Sequence, residues 1–202
     1  MTLRITEIFH SIAGEGEVIG IPCTFIRLAG CNLRCEWCDT KGSWETGTEM
    51  SVDDIIKQVD KDTVTITGGE PLIQDIRELV QKLDNGFGTD VIVETNGTIE
   101  PPRNVDGHVD IWSVSPKLTD DYEMAFKWRS NAYYKFVVMK KEDLKIIEEK
   151  YWNPNKKNID NIIIQPDGNR ADYVKAIKEL AEWNIGYDWR IIPQLHRICG
   201  WR

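Results

Sequence analysis

The sequence predicts an α/β fold: an incomplete, open TIM-like (βα) barrel, one domain over residues 1–202, with fewer helices than strands. Three observations predict it. Short apolar, β-branched runs recur along the chain, several of them continuous rather than alternating, as parallel strands buried on both faces require. Helical patterns lie between some of these runs, and strand-then-helix alternation means parallel βα units. The chain has 202 residues, fewer than the ~250 of a full eight-unit barrel.

The strand runs are Leu3–Ile8, Thr24–Leu28, Val64–Thr67, Val91–Glu94, Ile111–Val114, Lys135–Met139, Ile162–Gln165 and Arg190–Ile192. Ser51 can cap a helix over Val52–Val59, with Asp53 and Asp54 favouring its N-terminal dipole. Pro71 can start a second helix through Leu83, with Ile73, Ile76, Leu79, Val80 and Leu83 on one face and Gly86 beyond it. Glu142–Tyr151 and Ala171–Trp183 complete the set, the last with a stripe of Val174, Ile177, Leu180 and Ala181. Residues Glu100–Gly107 and Tyr151–Asp160 read as loops. Catalytic groups of such a fold belong on the loops after the strands.

Composition narrows the function. Hydrophobic residues make up 41% and charged residues 29%, ordinary for a globular domain. The net charge of −8 argues against direct nucleic-acid binding, which leans on Lys and Arg. No run approaches the ~18 apolar residues of a membrane span, and Met1–His10 lacks the apolar core of a signal peptide. A reducing cytoplasm is expected, where free thiols and metal clusters survive.

Cys31, Cys35 and Cys38 stand in a C-x3-C-x2-C run. A [4Fe–4S] cluster normally takes four cysteines, so three leave one iron open to chelate something else. A structural zinc site closes with four ligands, yet the other cysteines are only Cys23 and Cys199, and His10, His108 and His196 are scattered. An odd count within one short loop fits disulfides poorly. Cys23 reads as a small buried hydrophobe on a strand; Cys199 stays undecided. Four strands run into further candidate motifs: Gly68-Gly69-Glu70-Pro71, Glu94-Thr95-Asn96-Gly97, Ser115-Pro116-Lys117 and Gln165-Pro166-Asp167-Gly168. Each also reads as a plain turn. Glycines let a backbone approach a ligand closely, and a carboxylate such as Glu70 can accept from an ammonium group. Glu94 and Thr95 can reach into the barrel mouth.

The cysteine spacing followed by Gly-Gly-Glu-Pro resembles the radical S-adenosylmethionine superfamily. Ala13–Gly16, Phe25–Leu33, Cys38-Asp39-Thr40, Ser115–Lys117, Gln165–Gly168 and Pro193–His196 narrow the resemblance to the 7-carboxy-7-deazaguanine synthase family. It implies a shrunken barrel of radical SAM type and conversion of 6-carboxy-5,6,7,8-tetrahydropterin to 7-carboxy-7-deazaguanine and ammonia, on a route to 7-deazapurines such as queuosine and archaeosine. By resemblance, Cys31, Cys35 and Cys38 hold the [4Fe–4S] cluster and Thr40 a Mg²⁺. S-adenosylmethionine lies against Trp37, Cys38, Asp39, Gly69, Ser115, Pro116, Lys117, Gln165, Pro166, Asp167 and Gly168. The pterin lies against Ile12, Ala13, Gly14, Glu15, Arg27, Thr67, His196 and the terminal carboxylate of Arg202. The resemblance also implies a homodimer and a flavodoxin- or ferredoxin-type reductant. The chain departs from the family at Ala13, where Gln is usual, and in the tail after His196. Two alternatives stay open: an activase of a glycyl-radical enzyme, which would leave Glu15, Arg27 and His196 without a task, and a non-catalytic zinc or electron-transfer domain.

Overall fold

The computed structural model describes residues 1–153 and 161–200. Nine strands form one sheet: β1 Thr2–Ile12, β2 Pro22–Leu28, β3 Thr48–Ser51, β4 Thr63–Gly68, β5 Asp90–Thr95, β6 Ile111–Val114, β7 Ala132–Val138, β8 Ile162–Pro166 and β9 Arg190–Ile191, in the order β3-β1-β2-β4-β5-β6-β7-β8-β9. From β2 onward every neighbouring pair is parallel, while β1 runs antiparallel to β2 and β3 antiparallel to β1. Among the described residues six α-helices serve these strands: α1 Val52–Ile56, α2 Arg77–Phe87, α3 Arg103–Asp106, α4 Glu142–Ile147, α5 Tyr173–Trp183 and α6 Leu195–Cys199. The expected incomplete barrel with fewer helices than strands is the observed architecture.

The pleat sorts each strand's side chains between two sides. On β4, Val64 and Ile66 enter the core while Thr65 and Thr67 face a central cavity. The same alternation places Ile26 and Leu28, Val91 and Val93, Trp112 and Val114, Tyr134 and Phe136, and Ile162 and Ile164 in the core. It turns Arg27, Glu94, Ser113, Lys135 and Gln165 into the cavity. The core side is covered by helices, with α2 on β5, α4 on β7 and α5 on β8. The buried face of α2 is Leu79, Val80 and Leu83, with Ile76 just before it.

Several sequence expectations are corrected. The helix expected from Pro71 is broken: a 3₁₀ turn covers Pro71–Ile73, Gln74 is extended, and α2 begins only at Arg77 and ends on the left-handed Gly88 rather than at Gly86. Ile73 is 43% exposed because the break rotates it away from the α2 stripe. On α5 the buried residues are Tyr173, Ala176 and Leu180, and Val174 and Ala181 face outward. The Glu100–Gly107 loop contains α3, and the short strand β3 escaped because its polar run Thr48–Ser51 pairs only at the edge with β1. The helix from Glu142 continues past α4 as a wider turn, Glu148–Trp152, which takes in the first residues of the expected loop Tyr151–Asp160; residues 154–160 lie outside the described residues. Ser51 does cap α1, accepting from the Asp54 N–H at 3.2 Å. Cys23 is fully buried on β2, with its thiol 3.0 Å from the Thr65 hydroxyl.

The sheet does not close on itself, since β3 and β9 are its two ends. The loop between β1 and β2 meets the β9 end of the sheet. The Leu195 N–H donates to the Gly14 carbonyl at 2.7 Å, and Arg190 pairs with Glu17. No helix among the described residues is long and apolar enough to cross a membrane.

Leu83 is fully buried at the α2–sheet contact. Leu83→Ala is expected to destabilise the fold by about 2–5 kcal/mol, read as a lower midpoint in urea at unchanged slope.

Candidate functional site

The cavity encloses about 390 Å³ and opens at the C-terminal ends of the parallel strands. Its floor is the inward row of strand residues. Register places Arg27 beside Thr67 and Glu94 beside Ser113, and the Thr67 hydroxyl donates to Glu94 Oε2 at 2.7 Å. Arg27 Nε donates to Glu7 Oε1 at 2.8 Å across β1–β2 and its guanidinium lies 5.8 Å over the Phe9 ring, which stacks on Phe25.

The three cysteines sit on the loop after β2, and all three thiols face this cavity. They are free and partly buried. That loop rides on the end of β4. The Gly69 N–H donates to the Leu28 carbonyl at 3.2 Å and the Glu70 N–H to the Gly30 carbonyl at 2.8 Å. A Cβ on Gly69 would collide with the Gly30 carbonyl and would stand 2.8 Å from Cys31 Cβ. Gly30 itself has φ +94°, a left-handed conformation that suits glycine. Further ties hold the loop. Asn96 Nδ2 donates to Asn32 Oδ1 at 2.9 Å, Asn169 Nδ2 to the Trp37 carbonyl at 2.8 Å, and Arg34 Nη1 to the Cys31 carbonyl at 2.7 Å.

These residues fit an iron–sulfur cluster. Burial pushes the Cys31 and Cys35 thiols up, and the neighbouring cysteines push the same way. Three bare thiolates here repel one another, a cost that iron ligation removes. The Leu33 N–H points at Cys31 Sγ, 3.4 Å away, as a donor to a thiolate does. Among the described residues no three His, Cys, Asp or Glu side chains could hold a metal ion together. A zinc ion would need such a set; in a cubane each thiolate takes its own iron. Thr40 lines the cavity beside the cysteines, its hydroxyl 3.6 Å from Cys38 Sγ. A lone hydroxyl suits a magnesium ion that substrate and water complete.

Glu70 corrects an expectation. Its carboxylate does not reach the cavity; it is fully buried and accepts from the Thr95 hydroxyl (2.8 Å) and the Asn96 and Leu72 N–H groups (2.6 and 3.0 Å). It braces the ends of β4 and β5 beneath the cysteine loop. Burial raises its pKa, against those hydrogen bonds.

Trp37, Asp39, Gly69, Ser115, Lys117, Gln165, Asp167 and Gly168 all line the cavity. Pro116 and Pro166 do not line it, and both are buried. Lys117 Nζ donates to the Ser115 hydroxyl at 3.0 Å, and burial lowers its pKa, opposed by Cys35. Gln165 Oε1 is buried and has no hydrogen-bond partner among the described residues.

Ile12, Ala13, Gly14, Glu15 and His196 form another wall of the cavity. Gly14 is tight against α6, since a Cβ there would stand 2.5 Å from His196 Nδ1. Arg202 lies outside the described residues. Glu15 pairs with Lys135 Nζ at 2.8 Å and accepts from Gln194 Nε2 at 3.0 Å. Burial alone would raise the Glu15 pKa, but the Lys135 ammonium, the two hydrogen bonds and His196 outweigh it and hold it at about 2. Burial likewise works against the Lys135 ammonium, and Glu15 and Glu94 together hold its pKa above the usual lysine value. Sequence reasoning missed Lys135 and Gln194. The signal for Lys135 was parity: on β7 it shares its side with Val137, opposite the core residues Tyr134 and Phe136.

The family model of the Radical SAM superfamily matches residues 25–180. The chain is similar to the 7-carboxy-7-deazaguanine synthase of Pyrobaculum aerophilum, 33% identical with 98% of this chain and 95% of the relative covered. It is similar also to that of Thermoplasma acidophilum, 34% identical with 97% and 96% covered. Among solved structures it resembles QueE from Escherichia coli, with a TM-score of 0.78, 29% identity and coverage of 97% of this chain and 95% of that one.

Two outcomes are expected. Gly69→Ala displaces the Cys31 loop, so the purified protein should bind less iron and sulfide than wild type while keeping its far-ultraviolet circular dichroism. Glu15 is ionised in the fold down to about pH 2, below its ordinary pKa of 4.5. Its contribution is therefore present above pH 4.5 and is lost as pH falls from there towards 2. Urea midpoints between these values should fall more steeply with acid in wild type than in Glu15→Gln.

Proposed function

This chain belongs to the 7-carboxy-7-deazaguanine synthase family of the Radical SAM superfamily, and from that premise we propose that it turns 6-carboxy-5,6,7,8-tetrahydropterin into 7-carboxy-7-deazaguanine and ammonia. The observation that carries this reading is a single cavity with two chemically different walls. Three free thiols line one wall, Glu15 and His196 line the other, and Arg27 stands on the floor between them.

Cys31, Cys35 and Cys38 would hold a [4Fe–4S] cluster, which with S-adenosylmethionine would supply the radical chemistry that begins with hydrogen abstraction from the substrate. The protein binds and orients around that chemistry. Gly69 lets the end of β4 approach the cysteine loop, and Ser115, Lys117 and the Gln165–Gly168 turn offer hydroxyl, ammonium and amide groups to the adenosylmethionine. Arg27, whose Nε is committed to Glu7, has terminal N–H groups that suit the pterin carboxylate. Glu15 accepts from the guanidine-like edge of the ring, and the Thr67–Glu94 pair and His196 flank it. Thr40 would hold a Mg²⁺ with substrate and water as further ligands, so that metal and pterin binding would depend on each other. The whole chain acts as one domain in the cytoplasm, as a homodimer, with a flavodoxin- or ferredoxin-type protein as reductant. The product feeds 7-deazapurine synthesis, queuosine or archaeosine among them. A glycyl-radical activase would have no use for the polar floor of the cavity, and a structural zinc has no closing ligand set among the described residues.

The test is anaerobic turnover of the reconstituted protein with reductant, adenosylmethionine, Mg²⁺ and the pterin, read by mass spectrometry. We expect the deazapurine product, and its loss in Cys35→Ala. A protein that cleaves adenosylmethionine yet forms no deazapurine would overturn the substrate assignment.

A further inference from the structure

One level of the cavity floor has no part in the roles above. Among the described residues, the aromatic side chains that strands bring to the cavity are Phe9 and Phe25. They are cross-strand partners on β1 and β2, and their rings stack with centroids 4.9 Å apart and an interplanar angle of 8°. Phe25 is half-buried, lines the cavity and stands apart from the apolar core. The inward residues around it on β2 and β4 are polar: Arg27, Thr65 and Thr67. Aromatic surface left against water costs free energy, which a ligand that covers it recovers.

Register gives this ring a defined place. Glu7 pairs with Arg27 at one level of the β1–β2 hairpin, and Phe9 with Phe25 at the next. Phe25 and Arg27 are two residues apart on one strand, so they share a side and their Cα atoms stand about 7 Å apart. Beyond the aromatic level the ladder runs on past both strands, with the Ala13 N–H donating to the Ile21 carbonyl at 2.8 Å. The turn that follows carries Glu15, which also lines the cavity and is held there by Lys135 and Gln194. One hairpin therefore supplies the groups assigned to both ends of the pterin, Arg27 for the carboxylate and Glu15 for the guanidine-like edge. The aromatic pair stands between them along the hairpin.

The two rings are not equivalent. Phe9 covers one face of Phe25 from the β1 side. The opposite face of Phe25 lies on the side of β4, where Thr65 is its partner in register and has its hydroxyl 3.0 Å from the Cys23 thiol. This level offers a ligand an aromatic surface more than hydrogen bonds.

We propose, resting on the pterin reading above, that Phe25, backed by Phe9, is a substrate-binding residue whose ring packs against the bicyclic ring of the pterin. The polar groups at the two ends of the hairpin set the direction of the ligand, and the aromatic contact between them selects for a flat heterocycle. Stacking of this kind tolerates any heterocycle with a π-face, so the choice among heterocycles stays with Arg27 and Glu15.

The reconstituted full-length enzyme tests this. Pterin affinity is measured anaerobically by calorimetry with adenosylmethionine and Mg²⁺ but no reductant, alongside adenosylmethionine affinity, KM, kcat and melting temperature. Phe25→Ala is expected to raise the pterin Kd and KM about 10- to 100-fold, the loss typical of one stacked heterocycle. Phe25→Leu keeps apolar cover without the ring and should raise them about 3- to 10-fold. In both variants the adenosylmethionine Kd should stay within about threefold of wild type, which a general distortion of the cavity would not allow. If the Ala protein does not fold, the Leu protein carries the test. A pterin Kd within about twofold of wild type, a fall in kcat at unchanged Kd, or an equal loss of adenosylmethionine affinity overturns the role of Phe25 while leaving the substrate reading intact. If the wild-type protein cleaves adenosylmethionine yet does not bind the pterin, the substrate reading itself fails and this inference falls with it.

Discussion

Everything in this structure depends on the two-residue period of its parallel strands. One side of each strand must be apolar, because helices lie against it, and the other side is then free to be polar, because it faces a cavity. Arg27, Thr67, Glu94, Ser113, Lys135 and Gln165 all occupy that second parity, while their neighbours in sequence enter the core. A slip of one residue in any strand would exchange the two sets. It would bury a charge under a helix and turn an isoleucine or valine towards the ligand. The apolar core and the polar cavity are thus two faces of one register, and neither can be altered alone.

The second dependence is local. The cysteine loop has no regular secondary structure of its own beyond the 3₁₀ turn at Lys41–Trp44, yet it must present three thiols to one cluster. It borrows rigidity from the sheet. The ladder between β2 and β4 continues past both strands through Gly69 and Glu70, and glycine is needed there because the two backbones nearly touch. Glu70 then ties the end of β4 to β5 through Thr95 and Asn96, and Asn96 reaches back to Asn32. The Gly-Gly-Glu sequence therefore supports the loop from below as well as leaving room beside it.

Most of the fold was legible because it rests on local pattern. Runs such as Val64–Thr67 and Ile162–Gln165 can be little else than buried strands, and Ser51 before two aspartates reads as a cap. The misreadings have physical causes. Helix periodicity from Pro71 ignored the 3₁₀ turn that the Glu70 side chain organises by accepting from Leu72. The stripe of α5 was set by aliphatic residues alone, although Tyr173 is buried with its hydroxyl bonded to Gln194. Within the candidate site, the residues of the cysteine loop and the strand-end turns were legible from spacing. Lys135 and Gln194 were not, because each is held by Glu15, which is 120 and 179 positions away in the chain respectively. Pairing over such distances leaves no trace in a single sequence beyond a lone polar residue in an apolar run.

The sheet's failure to close has a consequence for the size of its lumen. In a complete barrel, girth follows from strand number and stagger, which change only in whole steps. Here the loop between β1 and β2 is tied to the β9 end of the sheet by contacts that include Glu17 with Arg190 and Gly14 with Leu195. Circumference becomes a continuous variable, adjustable by the length of a side chain at the clasp. Substitution at the clasp can retune the lumen for a larger or smaller guest without disturbing the strand ladder that carries the cysteines.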